Sequence, residues 1–365
     1  MENKNLYAVV MAGGKGERFW PQSRANHPKQ LLRLIGNLTL LEQTVERLKP
    51  LVPEENILII TNQDYVAPMQ SLLKNLPEEN IIGEPIGRDT APCVALAAGI
   101  VRAKAGNDDA IMFLLPADHV IRNVEAMRNE LQDCADLASE KDSIITIGVN
   151  PTSASTGYGY IKCGAQLPDG VNTKFFKSLG FKEKPSIETA EKFVTAANYK
   201  WNSGMFIWSV KTIIDAFKQH APHLYEMTQK LSDAYSKGNI EEAMADEYGK
   251  CDKISIDYAV MEKVENVIVA ECIFDWDDVG SWTALRNQLR PNKDNNVVRG
   301  LFESIDSNNN IVVGDSKHLV AAIDVEDLII VHTDDATLVC NAKSAQRIKE
   351  LVHTLGMNAE LSKFI

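Results

Sequence analysis

The sequence predicts an α/β protein: a three-layer, doubly wound domain on a mostly parallel sheet, then a small β-rich unit that ends in a helix. Three observations carry this. The apolar runs "LYAVVM", "NILIIT", "AIMFLLP" and "SIITIGV" do not alternate with polar residues, the pattern of strands buried on both faces. Helical stretches separate them, which is the alternation of a doubly wound sheet. After "RPNKDNN" the runs shorten to "NNVVRGLF", "NNIVVGDS", "HLVAAI", "DLIIVHT" and "ATLVCN", broken by polar turns.

The elements follow in order. "TLLEQTVERLKPL" opens with Thr39 and has Glu42 three residues on, the spacing of a capping box. "RDTAPCVALAAGIVRAKAG" offers Asp89 or Thr90 as N-cap and Pro92 in the first turn, where a missing N–H is harmless. In such sheets ligands bind beyond the carboxyl ends of the strands. The glycine cluster after "AVVM" and the "PADH" after "AIMFLL" both fall there. Strands and helices are mixed from about 157 to 282, and the closing "AKSAQRIKELVHTLG" predicts a helix with Gly356 as C-cap. The expected division is residues 1–290 and 291–365, the second having a structural or dimer-forming role.

Composition excludes several classes. With 38 Lys and Arg against 50 Asp and Glu, the formal net charge is -12. That argues against sequence-independent nucleic-acid binding, which needs broad basic surfaces. Six cysteines stand singly, with no C-x-x-C pair, as in a reduced cytoplasmic protein without a zinc site. The N-terminal apolar run is too short for a signal peptide. No window approaches the roughly 20 apolar residues of a membrane span.

Against this acidic background, "VVMAGGKGERFWPQSRANHPKQLLRL" collects Lys15, Arg18, Arg24, Lys29 and Arg33 just after a glycine cluster. Glycines bring backbone N–H groups close to a ligand, and cations beside them suit a polyphosphate. Arginine clamps phosphate oxygens in pairs, while lysine is a compact point charge. The spacing is neither G-x-G-x-x-G nor a P-loop ending in G-K-[ST]. A solvated basic turn is the plain alternative.

The pattern G-G-x-G-x-R-x-x-P followed by P-K-Q resembles the signature of the nucleoside-diphospho-sugar pyrophosphorylases. "GEPIGRDTAP", "LLPADHVI", "FKEKP", "WNSGMF" and "DWDDVGSW" also resemble that family, in the same order. One departure is Asp89, where asparagine is the commoner residue. The resemblance implies a Rossmann-like nucleotidyltransferase domain, with a β-helix-like C-terminal unit. It implies a nucleotide site at Ala12, Gly13, Gly14, Gly16, Glu17, Arg18, Lys29, Glu84, Arg88, Thr90, Ala91, Pro92 and Asp118. Guanine presents N1–H and N2–H donors, so Glu84 is a sensible acceptor, as backbone carbonyls also are. Asp118 and Asp278 are implied as holders of Mg²⁺ or another divalent cation, with Asp277 the competing ligand. The sugar phosphate is implied at Gly159, Tyr160, Glu183, Lys184, Asn202 and Gly204.

What the resemblance implies chemically is attack by mannose 1-phosphate on the α-phosphorus of GTP, giving GDP-mannose and pyrophosphate. Arg18, Lys29, Asp118, Lys184 and Asp278 would be the catalytic set. His119 reads as a hydrogen-bonded structural group, because a sugar phosphate is already mostly a dianion at neutral pH. The chain is shorter than the two-function members, so a single-function form without the fused isomerase domain is expected, and the apolar strands of the C-terminal unit, with the resemblance, imply a homodimer. The alternatives are a different sugar or base, or a non-catalytic sugar-nucleotide-binding subunit. A nicotinamide-dependent oxidoreductase is disfavoured by the glycine spacing.

Overall fold

The computed structural model describes residues 5–168 and 170–365. Its main sheet has nine strands: β1 (Leu6–Met11), β2 (Ile57–Asn62), β3 (Ile81–Glu84), β4 (Ile111–Pro116), β5 (Ile144–Val149), β6 (Tyr160–Gln166), β7 (Phe175–Lys182), β8 (Tyr199–Ser209) and β9 (Val267–Glu271). Their spatial order is β3-β2-β1-β4-β8-β5-β9-β7-β6. Only β7 and β8 among them run against the common direction. The continuous apolar runs have the expected cause. Tyr7, Val9, Leu58, Ile60, Met112 and Leu114 join one core cluster. The alternate residues Ala8, Val10, Ile57, Ile59 and Phe113 are equally buried, so period-2 geometry turns them to the other face.

The helices of this region are α1 (Leu40–Leu48), α2 (Val66–Leu72), α3 (Thr90–Ala105), α4 (Val124–Glu140), α5 (Ile187–Thr195), α6 (Val210–His220), α7 (Pro222–Lys237) and α8 (Ile240–Lys250). The capping box before α1 forms. Thr39 N–H donates to Glu42 Oε2 at 2.7 Å, and Glu42 N–H donates to Thr39 Oγ1 at 3.1 Å. Asp89 caps α3. Gly99 lets α3 approach α7 closely, since a Cβ there would lie 2.9 Å from the Thr228 carbonyl.

Two compact units make up the chain, and neither is continuous in sequence. The first comprises residues up to Gly13, Thr44–Ala117 and Ile121–Trp276, and holds the nine-stranded sheet. The second comprises Gly14–Gln43, Asp118–Val120 and Asp277–Ile365. It contains the short α9 (Leu285–Gln288), then β10 (Val297–Arg299), β11 (Leu301–Ile305), β12 (Ile311–Val313), β13 (Leu319–Ile323), β14 (Leu328–His332), β15 (Thr337–Asn341) and α10 (Ile348–Met357). β10, β12 and β14 stack in parallel, with β15 antiparallel at the edge, while β11 and β13 form a second parallel pair. This is a β-helix-like coil around Val297, Ile311, Val313, Ile329 and Val331.

Buried asparagines join its turns. Asn296 Oδ1 accepts from Asn310 N–H at 2.8 Å and from Asn310 Nδ2 at 3.0 Å, and Asn310 Oδ1 accepts from Leu328 N–H at 2.9 Å. Both side chains are fully buried, so every lost bond would strand a backbone group away from water. One helix end differs from the sequence expectation. Gly356 lies inside α10, whose C-cap is Asn358, because the helix begins at Ile348 after a tighter 3₁₀ stretch over Ala342–Arg347. All six cysteines are free thiols, and no helix among the described residues is long and apolar enough to cross a membrane.

The asparagine ladder makes a direct prediction. Asn310→Ala should destabilise the protein by about 2–4 kcal/mol in denaturant unfolding, from several stranded partners. A change below about 0.5 kcal/mol would show that the ladder does not hold the coil together.

Candidate active site

In the second unit, the basic loop is organised around one buried lysine. Lys29 is 6% exposed. Its Nζ donates to Asp118 Oδ2 at 2.7 Å and to the Asp278 carbonyl at 2.7 Å. Gly16 makes this possible: its φ is 67°, and a Cβ there would lie 2.2 Å from Lys29 Cβ. By contrast, a Cβ on Gly14 would meet nothing within 4 Å. Burial pushes the Asp118 carboxyl up, but the Lys29 ammonium and the neighbouring His119 outweigh it and hold it below its usual range. His119 is itself buried beside that carboxylate.

Arg18 sits in a 3₁₀ turn over Glu17–Phe19 and donates from Nη1 to Gln346 Oε1 at 3.0 Å. Glu17 faces Lys349 at 3.8 Å. A Cβ on Gly280 would lie 3.2 Å from Asp278 Oδ2 and 3.7 Å from Arg18 Nη1. A side chain at position 280 would press on that carboxylate and contact the Arg18 guanidinium. Asp277, the competing ligand, is committed elsewhere. Its Oδ1 accepts from Val279 N–H at 2.7 Å, and its Oδ2 accepts from Asn287 at 3.2 Å and Gln288 at 2.7 Å. Those bonds hold Val279 at a φ of 44°, which a β-branched residue adopts only when its surroundings force it.

These residues suit a hard divalent cation. Asp118 and Asp278 each offer a carboxylate of the hard-oxygen kind that such a cation takes. Among the described residues there is no group of three or more acidic, His or Cys side chains that could hold a metal alone. Two carboxylates completed by substrate phosphates and water are what Mg²⁺ accepts.

The first unit contains the base and sugar segments. Ala12 ends the first strand's pairing, donating to the Ile60 carbonyl at 2.8 Å and accepting from Thr61 Oγ1 at 2.9 Å. Glu84, the last residue of β3, is 6% exposed. Its Oε1 accepts from the Tyr248 hydroxyl at 3.0 Å, and its Oε2 would lie 3.5 Å from a Cβ on Gly13. Burial pushes its carboxyl up to about 7, although the tyrosine bond pulls down and Asp89 adds a smaller upward push. Arg88 donates from Nε to the Tyr248 carbonyl at 3.2 Å. Thr90 Oγ1 accepts from Ile256 N–H at 2.8 Å, Ala91 N–H donates to the Ile254 carbonyl at 3.1 Å, and the Pro92 carbonyl lies 3.3 Å from the Tyr248 hydroxyl. Asp89 has a φ of 68°.

At the sugar segment, Asn202 lies inside β8 and Glu183 and Lys184 follow β7. Lys184 pairs with Glu183 Oε1 at 2.9 Å from a backbone φ of 39°. A Cβ on Gly159 would come within 2.5 Å of Glu183 Oε2, so only glycine fits against that carboxylate. Gly204 has a φ of 72°. The Asn202 amide is oriented by its own partners: Oδ1 accepts from Thr146 at 3.1 Å and Gly204 N–H at 3.2 Å, and Nδ2 donates to Asp257 Oδ1 at 3.2 Å. Tyr160 is fully buried, donates its hydroxyl to the Ser155 carbonyl at 2.9 Å, and pairs in the sheet with both Lys182 and Trp201, so its place is a structural one.

Three residues in these arrangements escaped the sequence reading: Gln346, Tyr248 and Asp257. Asp257 opens a π-helical turn over Asp257–Met261, a feature frequent at functional sites. Burial and the nearby Glu183 push its carboxyl up to about 7. That turn in "SIDYAVME" was the one available signal, and it is invisible to hydrophobic periodicity.

Comparison with known proteins agrees with this architecture. Residues 7–293 match the nucleotidyl transferase family, and residues 302–355 match the MannoseP isomerase/GMP-like beta-helix domain. A mannose-1-phosphate guanylyltransferase of Klebsiella pneumoniae is 38% identical over 356 residues, covering 97% of this chain and 74% of that protein. Mannose-1-phosphate guanylyltransferase 2 of Escherichia coli O157:H7 is 36% identical over 361 residues, with the same 97% and 74% coverage. A crystal structure from Thermus thermophilus, named mannose-1-phosphate geranyltransferase, superposes with a TM-score of 0.84 at 36% identity, covering 96% of this chain and 99% of that one. With the mostly parallel sheet and the β-helix-like coil matched along nearly the whole sequence, the chain belongs to the nucleotidyl transferase family, among the mannose-1-phosphate guanylyltransferases.

Proposed function

We propose that the protein transfers GMP from GTP to α-D-mannose 1-phosphate, giving GDP-mannose and pyrophosphate. The observation that carries this reading is the buried Lys29 ammonium, which donates to the Asp118 carboxylate and to the Asp278 backbone carbonyl. The names of the relatives support the same substrates. We take the catalytic domain as 1–290 and the C-terminal domain as 291–365 in sequence, a division supported by family matches that end at 293 and begin at 302, although the compact units interleave along the chain.

The physical obstacle is repulsion between two polyanions that must meet in line. Catalysis is then positioning and charge neutralisation, without a covalent intermediate. Asp118 and Asp278 would hold Mg²⁺, whose charge when bound would polarise the phosphate oxygens. Arg18, steadied by Gln346, would bind triphosphate oxygens and offset charge on the departing pyrophosphate. Lys29 keeps Asp118 ionised and aligned, and contributes positive charge at the nucleotide phosphates. Glu84 would accept from the guanine N1–H and N2–H. Lys184 would hold the attacking phosphate, and Glu183 would accept from sugar hydroxyls.

Arg18→Ala and Asp278→Asn should each lower turnover at least about 100-fold with the fold intact, the scale of losing ~3 kcal/mol of electrostatic stabilisation. A pyrophosphate-release assay with both substrates reads this directly, and near-wild-type rates in both variants would sink the proposal.

Glu84→Gln should weaken the preference for GTP over ATP while making the free protein more stable in alkali. The sign follows from the carboxyl lying near 7 when folded, above its ordinary value. The folded state then holds its proton more tightly, and stability falls as pH rises towards 7. Removing the charge should recover on the order of 2–3 kcal/mol at pH 8 and nothing at pH 4. Identical melting curves for variant and wild type at pH 8 would count against a charged, buried Glu84.

A further inference from the structure

We infer that Tyr248 is a specificity-determining positioning residue: its hydroxyl fixes the Glu84 carboxylate in the orientation that accepts a guanine edge and rejects an adenine one. The inference rests on the proposed reading of Glu84 and adds the group that makes that reading selective.

Tyr248 lies in α8, far in sequence from the base segment, and its side chain is fully buried. Its hydroxyl has two acceptors, Glu84 Oε1 at 3.0 Å and the Pro92 carbonyl at 3.3 Å. A phenol carries one proton; the Glu84 oxygen is its nearer acceptor and, once ionised, the stronger one. That bond fixes Glu84 Oε1 and leaves Oε2, on the Gly13 side, to meet a ligand. The phenol is itself anchored, because Arg88 donates to the Tyr248 backbone carbonyl at 3.2 Å. The segment leading into α3 and the first turn of that helix thus bind Tyr248 at both its backbone and its hydroxyl.

Fixing the carboxylate matters more for the wrong base than for the right one. Guanine offers donors at N1 and N2. Adenine offers an acceptor at N1 and no amine at C2, so a carboxylate held against it faces lone pairs and loses its own partners. A carboxylate free to rotate could swing aside and relieve that repulsion. Specificity in such a site comes from an unpaired polar group that cannot escape.

The test is Tyr248→Phe, which keeps the buried ring and removes only the hydroxyl. Pyrophosphate release is measured with GTP, ITP and ATP, with Glu84→Gln in parallel. The expected result is a fall of roughly 10-fold in the GTP-to-ATP ratio of kcat/KM, the scale of one hydrogen bond to a charged group. It should come from a higher KM for GTP and improved use of ATP. The kcat at saturating GTP should stay within about 3-fold of wild type. ITP, which keeps N1–H and lacks the 2-amine, should lie between the two. A general structural defect would lower kcat for all three nucleotides together and leave the ratio unchanged. If Tyr248→Phe does not fold, Tyr248→Leu tests the same loss of hydroxyl. An unchanged ratio in the hydroxyl-free variant, with a lowered ratio in Glu84→Gln, would overturn the role of Tyr248 and leave Glu84 standing. Unchanged ratios in both would remove both.

Discussion

One buried ammonium organises the charged centre. Lys29 Nζ contacts the Asp118 carboxylate and the Asp278 backbone, so residues that are 89 and 249 positions away in sequence are held to one point. A buried lysine with a single partner would carry an uncompensated desolvation penalty. With two oxygen partners, it keeps Asp118 ionised. Gly16 supplies the room that this approach needs. Removing Lys29 or Asp118 would leave the other with an unmatched charge in a partly buried setting.

In each of the two units the chain accepts local conformations that a stability-optimised protein would avoid. Asp89, Lys184 and Val279 all have positive φ, and each stands beside a residue assigned to the nucleotide, sugar phosphate or cation. Glu84 and Asp257 are carboxylates that burial pushes up to about 7. Strain and desolvated charge of this kind concentrate where preorganised groups must meet a ligand. The closely packed nine-stranded sheet and the asparagine-laddered coil provide the rigid surroundings that sustain them.

Much of the fold was legible because the relevant signals are local. Strands buried on both faces announce themselves as unbroken apolar runs, and the Thr39–Glu42 box and the Asp89 cap are spacings of one to three residues. β3 escaped because a four-residue strand is too short for any period. "WNSG", which by itself reads as a turn, is part of β8, since its neighbours across β5 override local propensity. At the site, the glycine loop and Asp118 were placed by the strand-end rule. The bonds that Asp277 accepts from Val279, Asn287 and Gln288 are not encoded in the "DWDDVGSW" spacing. Gln346 and Tyr248 act across 328 and 164 residues, and no sequence spacing encodes contacts of that range.

The most direct test of the account is the single-turnover rate of Lys29→Met at saturating Mg²⁺, GTP and mannose 1-phosphate, with folding checked by circular dichroism. Loss of the ammonium should lower the rate at least about 100-fold in a folded protein, because the Asp118 carboxylate loses its counter-charge and the Asp278 backbone loses its donor. A rate within about 3-fold of wild type would contradict a site organised by Lys29.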